Sequence, residues 1–223
     1  MAPEIVLQVS TWLIPLVFAI VLHEISHGWV ARAFGDPTAF DQGRLSLNPI
    51  RHVDPIGTVV VPLVLAVSGA PIFGWAKPVP VVARRLRNPR VHMMIVALAG
   101  PGMNLLLAVL AALALALLRA FAPAEGLAFA LLYLNLLNFI AINIFLAIFN
   151  LLPLPPFDGG HVVEGLLPRP LALRYARLGR FGFPLLILLL VALPYLWPQA
   201  DIVRHVVVPP VKALMRLLGV PGA

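Results

Sequence analysis

The sequence contains no cysteine. Disulfides are therefore excluded, and so is every metal site built on thiolate. Any metal held by this chain must take nitrogen and oxygen ligands. Charge is scarce too: only 11% of the 223 residues are Asp, Glu, Lys or Arg, and nine residues are carboxylates. By contrast 61% are hydrophobic, and the mean hydropathy is +0.98. A water-soluble globule of this size does not carry so apolar a composition, so the chain reads as a membrane protein. Its length suits one membrane domain, 1–223, and leaves no room for a sizeable soluble one. No basic n-region precedes the first apolar stretch, so the N-terminus does not read as a cleavable signal peptide. No internal repeat or low-complexity tract is evident.

The net charge of +7 does not point to nucleic acid, because the basic residues lack the aromatic interleaving that stacks bases. They gather in connecting segments instead. Arg32, Arg44 and Arg51 follow the first apolar stretch; Lys77, Arg84, Arg85, Arg87 and Arg90 precede the next long one; Arg169, Arg174, Arg177 and Arg180 follow another. The excess of Lys and Arg in cytoplasmic loops accounts for that distribution.

A helix needs about 20 apolar residues to cross a bilayer. Residues 5–33, 92–119, 127–152 and 181–198 meet that length, and 202–218 make a shorter fifth candidate. Residues 56–70 are apolar but short, with Pro62 inside. If they cross, the first two basic clusters lie on opposite sides. If they re-enter, twelve of the sixteen Lys and Arg residues share the cytoplasmic side. The re-entrant arrangement is preferred. Residues 34–56 and 71–90, rich in Gly and Pro, read as loops with short strands. The expected fold is an all-α polytopic membrane protein of about four to six transmembrane helices, with a short re-entrant or β-strand element between the first two long ones.

Inside the first apolar stretch stands His23-Glu24-Ile25-Ser26-His27. Ionisable residues within a membrane span are costly, so a cluster of three points to function. Residues four apart share a helix face, so both imidazoles can meet one metal ion, with Glu24 in reach of a water there. This is the H-E-x-x-H arrangement of zinc hydrolases, in which the glutamate is the general base. Catalytic zinc takes a third protein ligand. Among the carboxylates Asp158 stands out, in Asn150-Leu-Leu-Pro-Leu-Pro-Pro-Phe-Asp158-Gly159-Gly160. The prolines deny helix and the glycines permit a tight turn. From the residues alone, Asp158 is either that ligand or an ordinary Asp-Gly turn.

These two motifs together resemble the paired signature of the site-2 protease family, the intramembrane zinc metalloproteases. Ala99-Gly100-Pro101-Gly102-Met103-Asn104 resembles the family's small-residue and asparagine motif in the intervening helix. The likeness spans roughly residues 10–165, and the core is taken as 5–165 with C-terminal helices over 181–218. It implies one Zn2+ per chain held by His23, His27 and Asp158, with Glu24 as general base and Asn104 stabilising an oxyanion or holding substrate. Read physically, Asn104 can equally be helix–helix glue beside Gly100 and Gly102. Asn150 either bonds substrate or caps its helix. Val79 and Val81 lie in Lys77–Val82, whose prolines keep it extended. That segment either pairs with an unwound substrate or is a plain connector. His52 and His161 carry weaker signals, as a loop contact and a neighbour of Asp158. No PDZ or CBS domain fits, so the chain resembles a short form of the family.

The implied reaction is zinc-dependent hydrolysis of a peptide bond within or beside a transmembrane segment. It would serve regulated intramembrane proteolysis or the clearance of signal-peptide remnants. The expected partners are a transmembrane protein or peptide substrate and the lipid bilayer. The expected location is a prokaryotic cytoplasmic membrane, with the active site towards the cytoplasm. The same polar cluster would also suit a metal or cation transporter, but the paired broken helices of transporters are not evident. An inactive membrane chaperone would need no base such as Glu24.

Overall fold

The computed structural model describes residues 2–68, 74–122 and 125–222, and these contain helices and irregular segments but no strand. α1 (Ala2–Ala33) is followed by the single turn α2 (Thr38–Asp41). A π turn over Pro55–Val60 leads into α3 (Val61–Ser68). α4 (Pro89–Phe121) and α5 (Leu127–Asn150) are the long helices of the centre. α6 (Asp158–Leu166) and α7 (Arg169–Ala176) come next. α8 (Gly182–Ile187) and α9 (Leu193–Leu196) are joined by a π turn, and α10 (Val208–Leu217) ends the chain.

Among the described residues, four helical stretches are long and apolar enough to cross a membrane: Val9–Ala33, Pro89–Phe121, Leu127–Asn150 and Arg169–Leu196. Outward faces carry exposed Trp12, Leu13 and Phe18 on α1 and Leu106, Leu110 and Leu113 on α4. Such broad apolar surfaces on span-length helices suit a membrane-facing exterior, and the chain is a multi-pass membrane protein.

The helix bounds follow local chemistry. Asn48 and Asn88 cap the turns that follow them through their side-chain oxygens, as does Asp54 for the π turn. The fourth span starts at Arg169, twelve residues ahead of the 181 expected from hydropathy. Pro168 stands at the N-cap and Pro170 in the first turn, where proline is favoured. Arg169, Arg174, Arg177 and Arg180 therefore lie on the opening turns of that span. The fifth candidate forms α10, ended by Gly219 at φ 70° with Val220 N–H bonding back to Met215 O at 3.0 Å.

α1, α4 and α5 pack together around small residues. Ala19 and Ala31 of α1 are fully buried, as are Ala108 of α4 and Ile140 and Ile144 of α5, and Val207 and Val211 join the same core from the α10 end, which packs on α5. Alanine faces bring the backbones close without driving large side chains into lipid.

Between α1 and α4 the chain doubles back. Trp75 N–H donates to Gly57 O at 3.1 Å, and the Thr58 hydroxyl donates to Trp75 O at 2.9 Å. Residue 75 thus lies beside the start of the helical segment that leaves at residue 55. A Cβ on Gly57 would strike the Trp75 ring, so glycine is required for this approach. Residues 69–73, the end of the apolar run 56–70 and the turn beyond it, lie outside the described residues. The returning segment, residues 76–82, is extended but forms no ladder, so the expected strand is not present among the described residues. Its donors are taken elsewhere: Lys77 N–H by His52 O at 2.9 Å, Val79 N–H by the Glu24 carboxylate and Val82 N–H by the Asp36 carboxylate. We term this segment the strap.

Candidate active site

His23 and His27 lie one turn apart on α1 and face α4, both less than a tenth exposed. The space they occupy exists because residue 100 is glycine. A Cβ there would lie 2.5 Å from Nε2 of both rings. Helix α6 brings the third group. Residues 151–157 leave helical geometry after α5, through a cis Pro155–Pro156 bond, and α6 starts at Asp158 itself rather than after an Asp-Gly turn. Gly159 allows this by lying against the Leu151 and Leu152 carbonyls, where a Cβ would collide.

The ring orientations are fixed by the nitrogens that face away from Asp158. His27 Nδ1 lies 2.7 Å from Val96 O, a group that only accepts. His23 Nδ1 lies 2.5 Å from Asn104 Oδ1. That amide is oriented by its other end, where Nδ2 donates to Asn143 Oδ1 at 2.8 Å and to Ala19 O at 3.2 Å. Both Nδ1 atoms therefore carry hydrogens, and in the neutral rings both Nε2 atoms present bare lone pairs. They lie 3.1 Å apart. Asp158 Oδ2 sits 3.2 Å from Nε2 of His23 and 3.4 Å from Nε2 of His27. That oxygen is buried and has no hydrogen-bond partner.

Three acceptors facing one another without a proton between them repel unless a cation lies among them. Zinc ligands at about 2.0–2.2 Å in tetrahedral geometry stand roughly 3.3 Å from each other. The triangle of 3.1, 3.2 and 3.4 Å has those dimensions. His23, His27 and Asp158 are also the group of potential metal ligands found among the described residues. Their nitrogen and oxygen donors fit zinc.

Glu24 stands apart from this triangle. Its Oε2 accepts the Val79 N–H at 2.8 Å, which ties the carboxylate to the strap. The contact needs a close approach of strap and helix. A Cβ on Gly28 would lie 2.9 Å from a Val79 methyl and 3.1 Å from Ala39 Cβ. Arg44 secures the start of the strap through Lys77 O at 2.8 Å. Asp36 secures its end, accepting Val82 N–H at 2.5 Å and Thr38 N–H at 3.1 Å. Burial raises the Asp36 carboxyl, but bonds from the Thr38 hydroxyl and the two amides, with the Arg85 charge, leave it below the usual range.

Asn104 is fully buried with both amide hydrogens committed. Asn150 donates to Leu146 O one turn back at 3.0 Å. Val79 is buried on the strap, and Val81 is half-buried two residues on. His52 is buried with Nε2 at 2.8 Å from Ser46 O. His161 is 46% exposed and faces Glu164 at 3.7 Å, so it does not orient Asp158. Sequence reasoning missed Asn143, Gly28 and Asp36. Asn143 alone carried a readable signal, as a polar residue inside a membrane span.

The model of Peptidase family M50 matches residues 66–191, which include Asn104 and Asp158 and leave out His23 and His27. YwhC of Bacillus subtilis, named as a candidate zinc metalloprotease, is 37% identical over 193 residues, covering 84% of each chain. Rip2 of Mycolicibacterium smegmatis, named likewise, is 32% identical over 83% of this chain and 67% of its own. Rip2 of Mycobacterium tuberculosis is 31% identical over 71% of this chain and 56% of its own. No solved structure matches. With this match and these identities, the chain belongs to peptidase family M50, the site-2 protease family, and is a membrane metalloendopeptidase.

Proposed function

We propose that the chain, as one domain over 1–223, is a zinc-dependent intramembrane endopeptidase holding one zinc through His23, His27 and Asp158. The observation that carries this is the triangle of three potential ligand atoms with edges of 3.1–3.4 Å. Bound there, zinc supplies the Lewis acidity that activates a water and polarises a peptide carbonyl. Glu24 accepts a proton from the attacking water and returns it to the leaving amine, as befits a carboxylate next to a ligand but outside the ligand set. Asn104 acts by holding His23, since both hydrogens of its amide are already used. Asn150 keeps its carbonyl oxygen for substrate backbone.

The substrate is a transmembrane protein or peptide whose helix is locally unwound, because helical amides are otherwise engaged. Val79 and Val81 of the strap offer an extended edge for pairing with it. The bond at Trp75 and Gly57 supports a re-entrant path for residues 56–70. So does the length of Pro55–Ser68, about 21 Å at 1.5 Å per residue, which is short of a 30 Å core. On that path Arg32–Arg51, Lys77–Arg90 and Arg169–Arg180 share the cytoplasmic side of a cell membrane, with the zinc site near it.

The test is cleavage of a model single-span substrate by purified protein in lipid, with Glu24→Gln as the control. Turnover in the unsubstituted chain is expected to fall by about a hundredfold or more in the variant while zinc remains. Equal turnover in the two would refute the role of Glu24.

A further inference from the structure

The zinc-protease reading leaves one buried polar group of the centre of the bundle without a task. Asn143 lies in the middle of α5, is fully buried, and touches neither ligand nor strap in any bond described above. A buried amide in a membrane helix is costly unless all its partners are present. Its partners are specific. Nδ2 donates to Phe139 O one turn back at 2.8 Å, which turns Oδ1 towards α4. Oδ1 then accepts Asn104 Nδ2 at 2.8 Å. That bond in turn presents Asn104 Oδ1 to His23 Nδ1 at 2.5 Å.

Each link fixes the next. Were the Asn104 amide reversed, its NH2 would face His23 Nδ1 and its oxygen would meet the oxygen of Asn143. The ring would then keep its hydrogen on Nε2, the atom aimed at His27 and Asp158, and would cease to be a ligand. His27 needs no such device, because its Nδ1 faces a backbone carbonyl that has a single sense. An amide can point either way, so His23 alone requires further groups to choose the orientation: Ala19 O takes one Asn104 hydrogen at 3.2 Å, and Asn143 Oδ1 takes the other in the shorter bond of 2.8 Å.

We propose that Asn143 is a positioning residue of the metal centre, setting the Asn104 amide so that His23 presents a bare Nε2 to zinc. The inference rests on the zinc reading of the site. It gives α5, beside α1, α4 and α6, a part in holding the metal. A role as helix–helix glue alone would leave the His23 tautomer unchanged.

The test uses the full chain loaded with zinc in lipid nanodiscs, with zinc affinity read by chelator competition and the His23 ring by 15N labelling. Asn143→Leu removes both bonds at similar size and is expected to weaken zinc binding tenfold to a hundredfold, the range for lost outer-shell partners of metal ligands. Asn143→Asp, as the neutral acid, keeps a carbonyl for Asn104 and a donor for Phe139 O, and its zinc affinity should stay close to that of the unsubstituted chain. In the unsubstituted chain the label should show hydrogen on Nδ1 of His23 and metal on Nε2. This observation needs no variant to fold, and a bare or metal-bound Nδ1 would overturn the proposal outright. Equal zinc affinity in Asn143→Leu and the unsubstituted chain would overturn the role of Asn143 alone. An unsubstituted chain that takes up no zinc would overturn the zinc reading beneath it.

Discussion

Replacing Gly100 by alanine adds a single methyl group at the wall of the ligand triangle. That Cβ would lie 2.5 Å from Cε1 and Nε2 of His23 and from Nε2 of His27. Carbon and nitrogen atoms rest at about 3.5 Å, so the rings or α4 must yield by roughly 1 Å. Ligand positions tolerate about 0.2 Å, so a shift five times larger removes at least one histidine from the coordination sphere. We therefore expect zinc affinity to fall by at least a hundredfold or so, beyond the effect of a lost outer-shell partner. The overpacking itself should cost about 1–3 kcal/mol of stability. Gly102 supplies the control, since a Cβ there meets nothing within 4 Å. Gly102→Ala in the same helix should hold zinc normally and gain slightly in helix propensity. Chelator competition on the two purified variants, with circular dichroism to confirm folding, reads the difference. Wild-type zinc affinity in Gly100→Ala would refute the placement of α4 against the histidines.

Acid should loosen the strap before it unfolds the helices. The lowered carboxyl of Asp36 stabilises the folded loop above its unfolded value of about 3.9, and that contribution is lost as pH falls through the folded value. Hydrogen exchange at the Val82 amide should therefore accelerate at the acid end, and Asp36→Asn should shift that acceleration to neutral pH. An exchange rate indifferent to both would contradict the tether. For topology, Gln42→Cys and Arg84→Cys place single thiols at exposed positions in a chain that has no others. Both should label from the cytoplasmic face, and labelling from opposite faces would mean that residues 56–70 cross.

What the sequence revealed depended on how locally each feature is encoded. His23 and His27 were legible because a spacing of four fixes a shared helix face whatever surrounds it. The spans were legible because hydropathy over 20 residues is a local sum. The start of the fourth span was not, because residues 169–180 carry four arginines and fall outside the apolar run, while helix continuity does not depend on hydropathy. The strap was misread as a strand because its donors are claimed by carboxylates far along the chain, Glu24 lying 55 residues from Val79. No period or propensity records such a contact. Asn143 looks like Asn135 and Asn138 in the sequence, and the three differ only in what faces them. Asn135 bonds back to its own helix at Leu131 O, and Asn138 bonds Thr11 O. Only Asn143 meets the amide that holds a histidine.

The central claim is that His23, His27 and Asp158 together hold one metal ion. Metal analysis of the purified chain beside His23→Ala and Asp158→Ala tests it most directly. The account predicts about one zinc per chain, as three nitrogen and oxygen ligands imply, with occupancy lost in both variants while the helices remain folded. Full zinc occupancy in both variants would contradict it.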